Sequence, residues 1–245
     1  YCRLPNFQWE EKILLAKSRK TRIAFIGRPN NPTGTCASVE TILRLAKIQE
    51  LVVIDEAYGE FAGFSLAQLA AQSRNIVVIQ TFSKAFGLAG LRIGYAVGPR
   101  KIIDVLEQIR APFNINRFAQ KAAVAALTDL EYIQKTVKKI QIQREWLCSK
   151  IRELGLQVLP SLANFVMVGL RPWGVDATTL CNELAKENIF VRDLSGFKGA
   201  GKSYVRITVG TPNQNLKLVR ALRTVSYTHL RAHETEADLV CRLLL

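Results

Sequence analysis

Four short aliphatic runs govern what this chain can fold into: RIAFIG at residues 22–27, LVVID at 51–55, NIVVIQT at 75–81 and RIGYAVG at 92–98. Runs that stay apolar at nearly every position, instead of alternating, belong to strands covered by helices on both faces. Helix-like stretches separate them, so the first half predicts an α/β layered architecture with a mostly parallel sheet. Between the first two runs, Val39, Ile42, Leu43 and Ala46 make one helical stripe behind Ser38, a residue suited to accept from the unpaired N–H groups of a first turn. That is a βαβ unit.

From about Ala111 the pattern changes. Ile133, Val137, Ile140, Leu147, Ile151 and Leu154 recur at spacings of three and four, interrupted by Arg144, so a long helix with one buried seam is expected to end at Gly155. A strand follows through residues 164–168. Asp176 can cap another helix, with Val175 and Leu180 placed as a hydrophobic staple, and Thr211, Pro212 and Gln214 form the signature of a capping box. These changes divide the chain near residue 110. Residues 1–110 form a sheet domain, and 111–224 a smaller α+β C-terminal domain. Residues 225–245 fit neither: from Ser226 onward, SYTHLRAHETEADLVCRLLL continues past a helix that already completes the fold and resembles translated sequencing-adaptor read-through. That tail is expected to be non-native, the alternative being a short genuine C-terminal helix.

Composition removes several function classes. With 245 residues, 49% hydrophobic and 22% charged, the chain is globular rather than disordered. No apolar run approaches the roughly 20 residues that span a bilayer, and the start lacks the basic-then-apolar order of a signal peptide, so no membrane association and a soluble cytoplasmic protein are expected. The five cysteines are scattered without a C-x-x-C pair or a histidine at ligand spacing, and read as reduced thiols with no metal site. Both histidines, His229 and His233, lie in the tail, which leaves the body no imidazole for a Ser-His or Cys-His pair. The net charge of +14 is spread along the chain and reads as a solvated basic surface, not a nucleic-acid footprint.

Chemistry concentrates in three motifs at the carboxyl ends of expected strands, the edge where open α/β sheets bind ligands. They are NNPTG at 30–34, DEAY at 55–58 and TFSKAFGLAGLRIG at 81–94. Singly, each has an ordinary explanation as a turn, a helix cap or a surface lysine. Together they suit one cofactor, pyridoxal 5'-phosphate. Lys84 sits where an amine can be held close to an aldehyde. Asp55 can keep a ring nitrogen protonated, since a nearby carboxylate favours the cationic form. Asn31 and Tyr58 supply neutral donors for a phenolate oxygen, and Thr81, Ser83 and Arg92 supply hydroxyls and a forked cation for a phosphate.

The ordered set NNPTG, VVIDEAYGEF, TFSKAFGLAGLRIGY, ANFVMV and YVRITVGTP resembles the fold-type I pyridoxal-phosphate aminotransferases, and within them the histidinol-phosphate branch, over about residues 7–222. The resemblance implies the PLP-dependent transferase fold type I and transfer of an amino group between L-histidinol phosphate and 2-oxoglutarate, a step of histidine biosynthesis. It implies that Asn31, Asp55 and Tyr58 bind the pyridine ring, that Thr81, Ser83 and Arg92 bind the phosphate, and that Lys84 both joins the cofactor and shuttles the proton. Arg206 matches the arginine that grips a substrate carboxylate in the wider family. In the histidinol-phosphate branch Arg206 and Arg192 would engage the substrate phosphate and the 2-oxoglutarate carboxylates; an ordinary exposed ion pair is the alternative. A homodimer with active sites near the interface is also implied. Relatives of this kind carry a long stretch ahead of the NNPTG strand with a glycine-containing helix start and an aromatic residue stacked on the ring. Nothing comparable precedes residue 22, so 1–110 is expected to be a partial large domain and the chain an inactive N-terminally truncated fragment.

Other readings stay open from sequence. Threonine-phosphate decarboxylase and aromatic aminotransferase share these motifs. A non-catalytic, aminotransferase-like regulatory domain would need a helix-turn-helix, and a basic nucleic-acid-binding domain would show salt-sensitive binding and no chromophore.

Overall fold

The parallel strands at the heart of the first half form as their composition requires. In this computed structural model, which describes Cys2 and residues 4–242 and side chains through Tyr227, the sheet order is β1 (Ile23–Gly27), β2 (Leu51–Asp55), β3 (Ile76–Thr81), β4 (Gly94–Val97). β1 and β3 flank β2 in parallel, whereas β4 runs antiparallel to β3. The helices of this unit are α1 (Glu11–Ser18), α2 (Val39–Ile48), α3 (Gly59–Ala62), α4 (Ala67–Gln72), α5 (Arg100–Ile109) and α6 (Arg117–Thr128). Val52, Ile54, Ile76 and Val78 pack with Ile42 and Leu45 of α2 and Ala70 of α4 into one core. Ser38 caps α2 through its hydroxyl, which accepts from the Thr41 N–H at 3.1 Å.

Two details differ from the sequence reading. Covering on both faces holds for β2 but not for the edge strand β1, where Phe25 is 75% exposed and Ile23 is also exposed. The fourth strand starts at Gly94, two residues late, because a one-turn helix at Ala89–Leu91 ends with Arg92 in the left-handed conformation (φ 53°). The Arg92 Nη1 donates to the Ala89 carbonyl at 2.8 Å and so holds that turn closed. Gly94 then passes so near β3 that a Cβ there would lie 2.6 Å from the Gln80 carbonyl oxygen, a contact only glycine avoids.

The chain parts into two units at Lys139, not near residue 110, the first unit also holding Ser161–Ala163. Ala119 and Ala123 of α6 pack with Phe82 and Ile93, and this places α6 with the sheet. The division falls inside α7 (Leu130–Glu153), whose end is followed by Gly155 at φ 77°.

The second unit is an antiparallel sheet ordered β5 (Gln157–Val158), β6 (Phe165–Gly169), β8 (Tyr204–Thr208), β7 (Arg192–Asp193), with α8 (Ala177–Lys186) and α9 (Pro212–Arg242). Leu147 and Ile151 of α7 join Val166, Val168, Leu180, Leu184, Val205 and Leu222 in its core. Asp176 caps α8 by accepting from the Thr179 N–H at 2.8 Å. The capping box of α9 forms: the Thr211 N–H donates to Gln214 Oε1 at 2.9 Å, and the Gln214 N–H to Thr211 Oγ1 at 3.4 Å. α9 runs on through the segment set apart in sequence as a tail, of whose side chains those beyond Tyr227 lie outside the described residues. Among the described residues no helix is long and apolar enough to cross a membrane.

Candidate active site

Strand register gathers the three motifs. Gly27 lies opposite Asp55 on β2, Asp55 opposite Ile79 on β3, and Thr81 opposite Gly94 on β4. Because β1, β2 and β3 are parallel, the chain leaves all three at the same edge and enters the segments that carry Asn31, Tyr58 and Lys84.

The NNPTG segment closes on itself. The Gly34 N–H donates to the Asn30 carbonyl at 2.7 Å, the Asn30 N–H to the Thr35 carbonyl at 2.8 Å, and Asn30 Nδ2 to Thr33 Oγ1 at 2.9 Å. Gly34 has φ 77°, and a Cβ on it would lie 2.1 Å from Ser161 Oγ. The segment thereby presents the exposed side chain of Asn31.

Asp55 ends β2 exposed, with one carboxylate oxygen accepting from the Ala57 N–H at 2.9 Å. Tyr58 follows, half-buried, and the exposed Lys84 Nζ stands 5.6 Å from the centre of its ring. Lys84 sits in a tight turn between the buried Phe82 and Ala85, closed by the Leu88 N–H donating to the Phe82 carbonyl at 2.9 Å. Thr81 Oγ1 accepts from the Ser83 N–H at 3.1 Å, and Arg92 Nη1 approaches Ser83 Oγ at 3.5 Å. The seven residues named in the first unit thus share one sheet edge, with Lys84 and Tyr58 as one contacting pair and Ser83 and Arg92 as another.

Sequence reasoning passed over the buried group beneath that edge. Glu56 is fully buried and is pushed above the usual carboxylate range by burial, against the lowering effect of its bonding partners. It accepts from Ser65 Oγ at 2.6 Å, the Leu66 N–H at 2.8 Å and Gln80 Nε2 at 3.2 Å, and it pairs with the buried Arg28 at 3.6 Å. Arg28 is held in turn by the Ala37 carbonyl at 3.1 Å and by the Phe64 ring, 4.1 Å from its guanidinium. The signal was present in DEAY: neighbouring residues at a strand end point to opposite faces, so if Asp55 faces solvent Glu56 must face the core.

In the second unit, Arg192 on β7 stands directly opposite Arg206 on β8. Residues directly opposite share a face, and like charges so placed repel. The Arg192 guanidinium lies 5.5 Å from the centre of the Phe197 ring, and that of Arg206 lies 5.0 Å from the centre of the Phe165 ring.

Comparison with known proteins places this arrangement. Residues 7–222 match the family description "Aminotransferase class I and II". Histidinol-phosphate aminotransferase of Methanococcoides burtonii is 41% identical over 217 residues, covering 88% of this chain and 59% of that protein. The crystal structure of the histidinol-phosphate aminotransferase from Clostridium acetobutylicum superposes with a TM-score of 0.86 at 28% identity, covering 91% of this chain and 69% of that one. That from Sinorhizobium meliloti, in complex with pyridoxal-5'-phosphate, gives a TM-score of 0.78 at 28% identity, covering 89% and 61%. The chain therefore spans well under two thirds of the length of its Methanococcoides relative, and its fold is that of the pyridoxal-phosphate-dependent aminotransferases. With one family matched across nearly the whole described body, this chain belongs to the class I and II aminotransferases.

Proposed function

We propose that the protein transfers an amino group from L-histidinol phosphate to 2-oxoglutarate, using pyridoxal 5'-phosphate held at the edge that carries Asn31, Asp55, Tyr58 and Lys84. The observation that carries this reading is the convergence of an exposed lysine, a tyrosine ring 5.6 Å from it and an exposed aspartate on one sheet edge. The donor set fits the cofactor: an amine for its aldehyde, a carboxylate for its ring nitrogen, neutral donors for its phenolate oxygen, and hydroxyls with a guanidinium for its phosphate.

When bound, the cofactor withdraws electrons from the substrate carbon whose bond is broken. The chain's own residues do the rest. Lys84 Nζ holds the cofactor before substrate arrives and afterwards is the base that moves the proton. The Asp55 carboxylate favours the protonated, electron-withdrawing form of the ring. Tyr58 and Asn31 orient the ring through neutral hydrogen bonds, while Thr81, Ser83 and Arg92 bind the phosphate, Arg92 through a planar fork that suits its oxygens.

The facing pair Arg192 and Arg206 supports an anionic substrate, since two guanidiniums on one face of a sheet repel until an anion lies between them. A phosphate on the donor and carboxylates on the acceptor each meet that need. The Methanococcoides, Clostridium and Sinorhizobium relatives bear the histidinol-phosphate name, which favours that donor. Steady-state assays of the full-length protein with histidinol phosphate, an aromatic amino acid and phosphothreonine test the choice. Highest kcat/KM with histidinol phosphate, dependent on 2-oxoglutarate, is expected; release of carbon dioxide from phosphothreonine without any keto acid would contradict it.

A further inference from the structure

We infer that Glu56 is a positioning residue that ties the three site-bearing segments together from beneath, an inference that rests on the functional reading above. Its carboxylate is contiguous with all of them. It follows Asp55 and precedes Tyr58 by two residues in the second motif. It pairs at 3.6 Å with Arg28, which opens the segment carrying Asn31. It accepts at 3.2 Å from Gln80, the residue before Thr81, which opens the segment carrying Ser83 and Lys84. Ser65 and the Leu66 N–H fix it from the fourth side, at 2.6 Å and 2.8 Å, and so join the start of α4 to the same point.

A fully buried carboxylate is costly unless its oxygens are satisfied, and here the groups that hold it come from three separate stretches of chain: hydrogen bonds from residues 65–66 and from Gln80, and the ion pair with Arg28. A simple core function would be met by one partner, or by an apolar residue of the same size. The arrangement instead makes the position of Asp55 depend on where Arg28 and Gln80 lie. Asp55 faces out and Glu56 faces in, so a shift of the inner carboxylate moves the outer one through a single shared peptide. Groups that hold a reacting constellation to within a fraction of an ångström act in this indirect way.

Two variants of the full-length protein test it, Glu56→Gln, which keeps the shape and removes the charge, and Gln80→Ala, which removes one tether from a half-buried site. In the cofactor-free protein, both are expected to raise amide hydrogen exchange in residues 28–35, 55–58 and 80–84 together while the strands of the second unit keep their protection. With cofactor, both are expected to lower kcat by roughly tenfold with little change in KM, and to shift the pH at which the bound cofactor's absorbance changes. Should Glu56→Gln not fold, Gln80→Ala decides alone. Wild-type exchange and an unmoved pH profile in the folded variants overturn the inference, even if the wild type binds cofactor at Lys84. A wild type that does not bind cofactor at Lys84 sinks the functional reading instead; the exchange experiment then still decides whether Glu56 joins the three segments.

Discussion

The Lys84 Nζ stands 5.6 Å from the centre of the Tyr58 ring, joining the turn after β3 to the segment after β2. A lysine on a turn of exposed residues would ordinarily wander in solvent. Here, Phe82 and Ala85 are buried on either side of it and anchor the turn, so the amine is presented from a fixed base. The Tyr58 ring adds a cation–π attraction of about 0.5–1 kcal/mol at such a half-exposed site.

Asp55 is predicted to act on the cofactor through its charge. Asp55→Asn keeps the shape and can still accept from the Ala57 N–H, the bond that sets the local turn. Folding should be unchanged, while kcat falls by roughly tenfold to a hundredfold, the scale of one charge-assisted hydrogen bond worth about 1.5–3 kcal/mol. Full-length protein assayed at saturating donor gives the answer, and an unchanged kcat would remove Asp55 from the site.

Arg206→Lys is expected to keep the charge and lose the planar fork that pairs with two oxygens at once. The loss in kcat/KM should be roughly ten- to a hundredfold, with the cofactor spectrum unaltered. If every donor and acceptor keeps its rate, the facing arginines are a structural feature of the β7–β8 pair and nothing more.

Glu60 supplies a pH dependence of stability. Burial raises it from 4.5 to about 7, its own backbone N–H opposing and the Glu56 charge adding to the rise. Its Oε2 is buried with no hydrogen-bond partner. With the folded value above the unfolded one, the folded state binds more protons between these two pH values, so stability falls as pH climbs through that window. Glu60→Gln should therefore be more stable than the parent at about pH 8, by about 1 kcal/mol after discounting for partial exposure, and equal to it at about pH 4. Urea unfolding at the two pH values measures this; an equal gain at both would show that Glu60 ionisation is not the cause.

Gly34→Ala is predicted to destabilise the NNPTG segment by about 2–3 kcal/mol. The backbone is left-handed there at φ 77°, and the new methyl would meet the Ser161 side chain at 2.1 Å and its Cα at 2.9 Å. Thermal unfolding checks the size of the loss, and a variant as stable as the parent would show that Ser161 moves aside freely.

Much of this was legible in the chain itself. The aliphatic centres of the runs at 51–55 and 75–81 became the buried stretches of β2 and β3, and the caps at Ser38, Asp176 and Thr211 formed as their spacing indicated. Local rules decide such features, so sequence shows them. The start of β4 was hidden because Arg92 reads as a strand residue, and only the approach of Gly94 to the Gln80 carbonyl shows why the strand must begin later. The unit boundary was hidden for a similar reason: α6 joins the first unit through Phe82 and Ile93, contacts between distant residues. Asp55 and Lys84 stand out from motif chemistry, and the structure brings both to one sheet edge, whereas the network around Glu56 is hidden because its partners, Arg28 and Gln80, are far apart in the chain and meet only once the sheet has formed.

The most direct test of the central claim is covalent. Incubating the protein with pyridoxal 5'-phosphate, reducing with borohydride and mapping the label by peptide mass spectrometry asks which amine the site holds against the aldehyde. One stoichiometric label on Lys84, absent from Lys84→Ala, is the predicted result. A label spread over many lysines in proportion to their exposure, or one that survives Lys84→Ala, would contradict it.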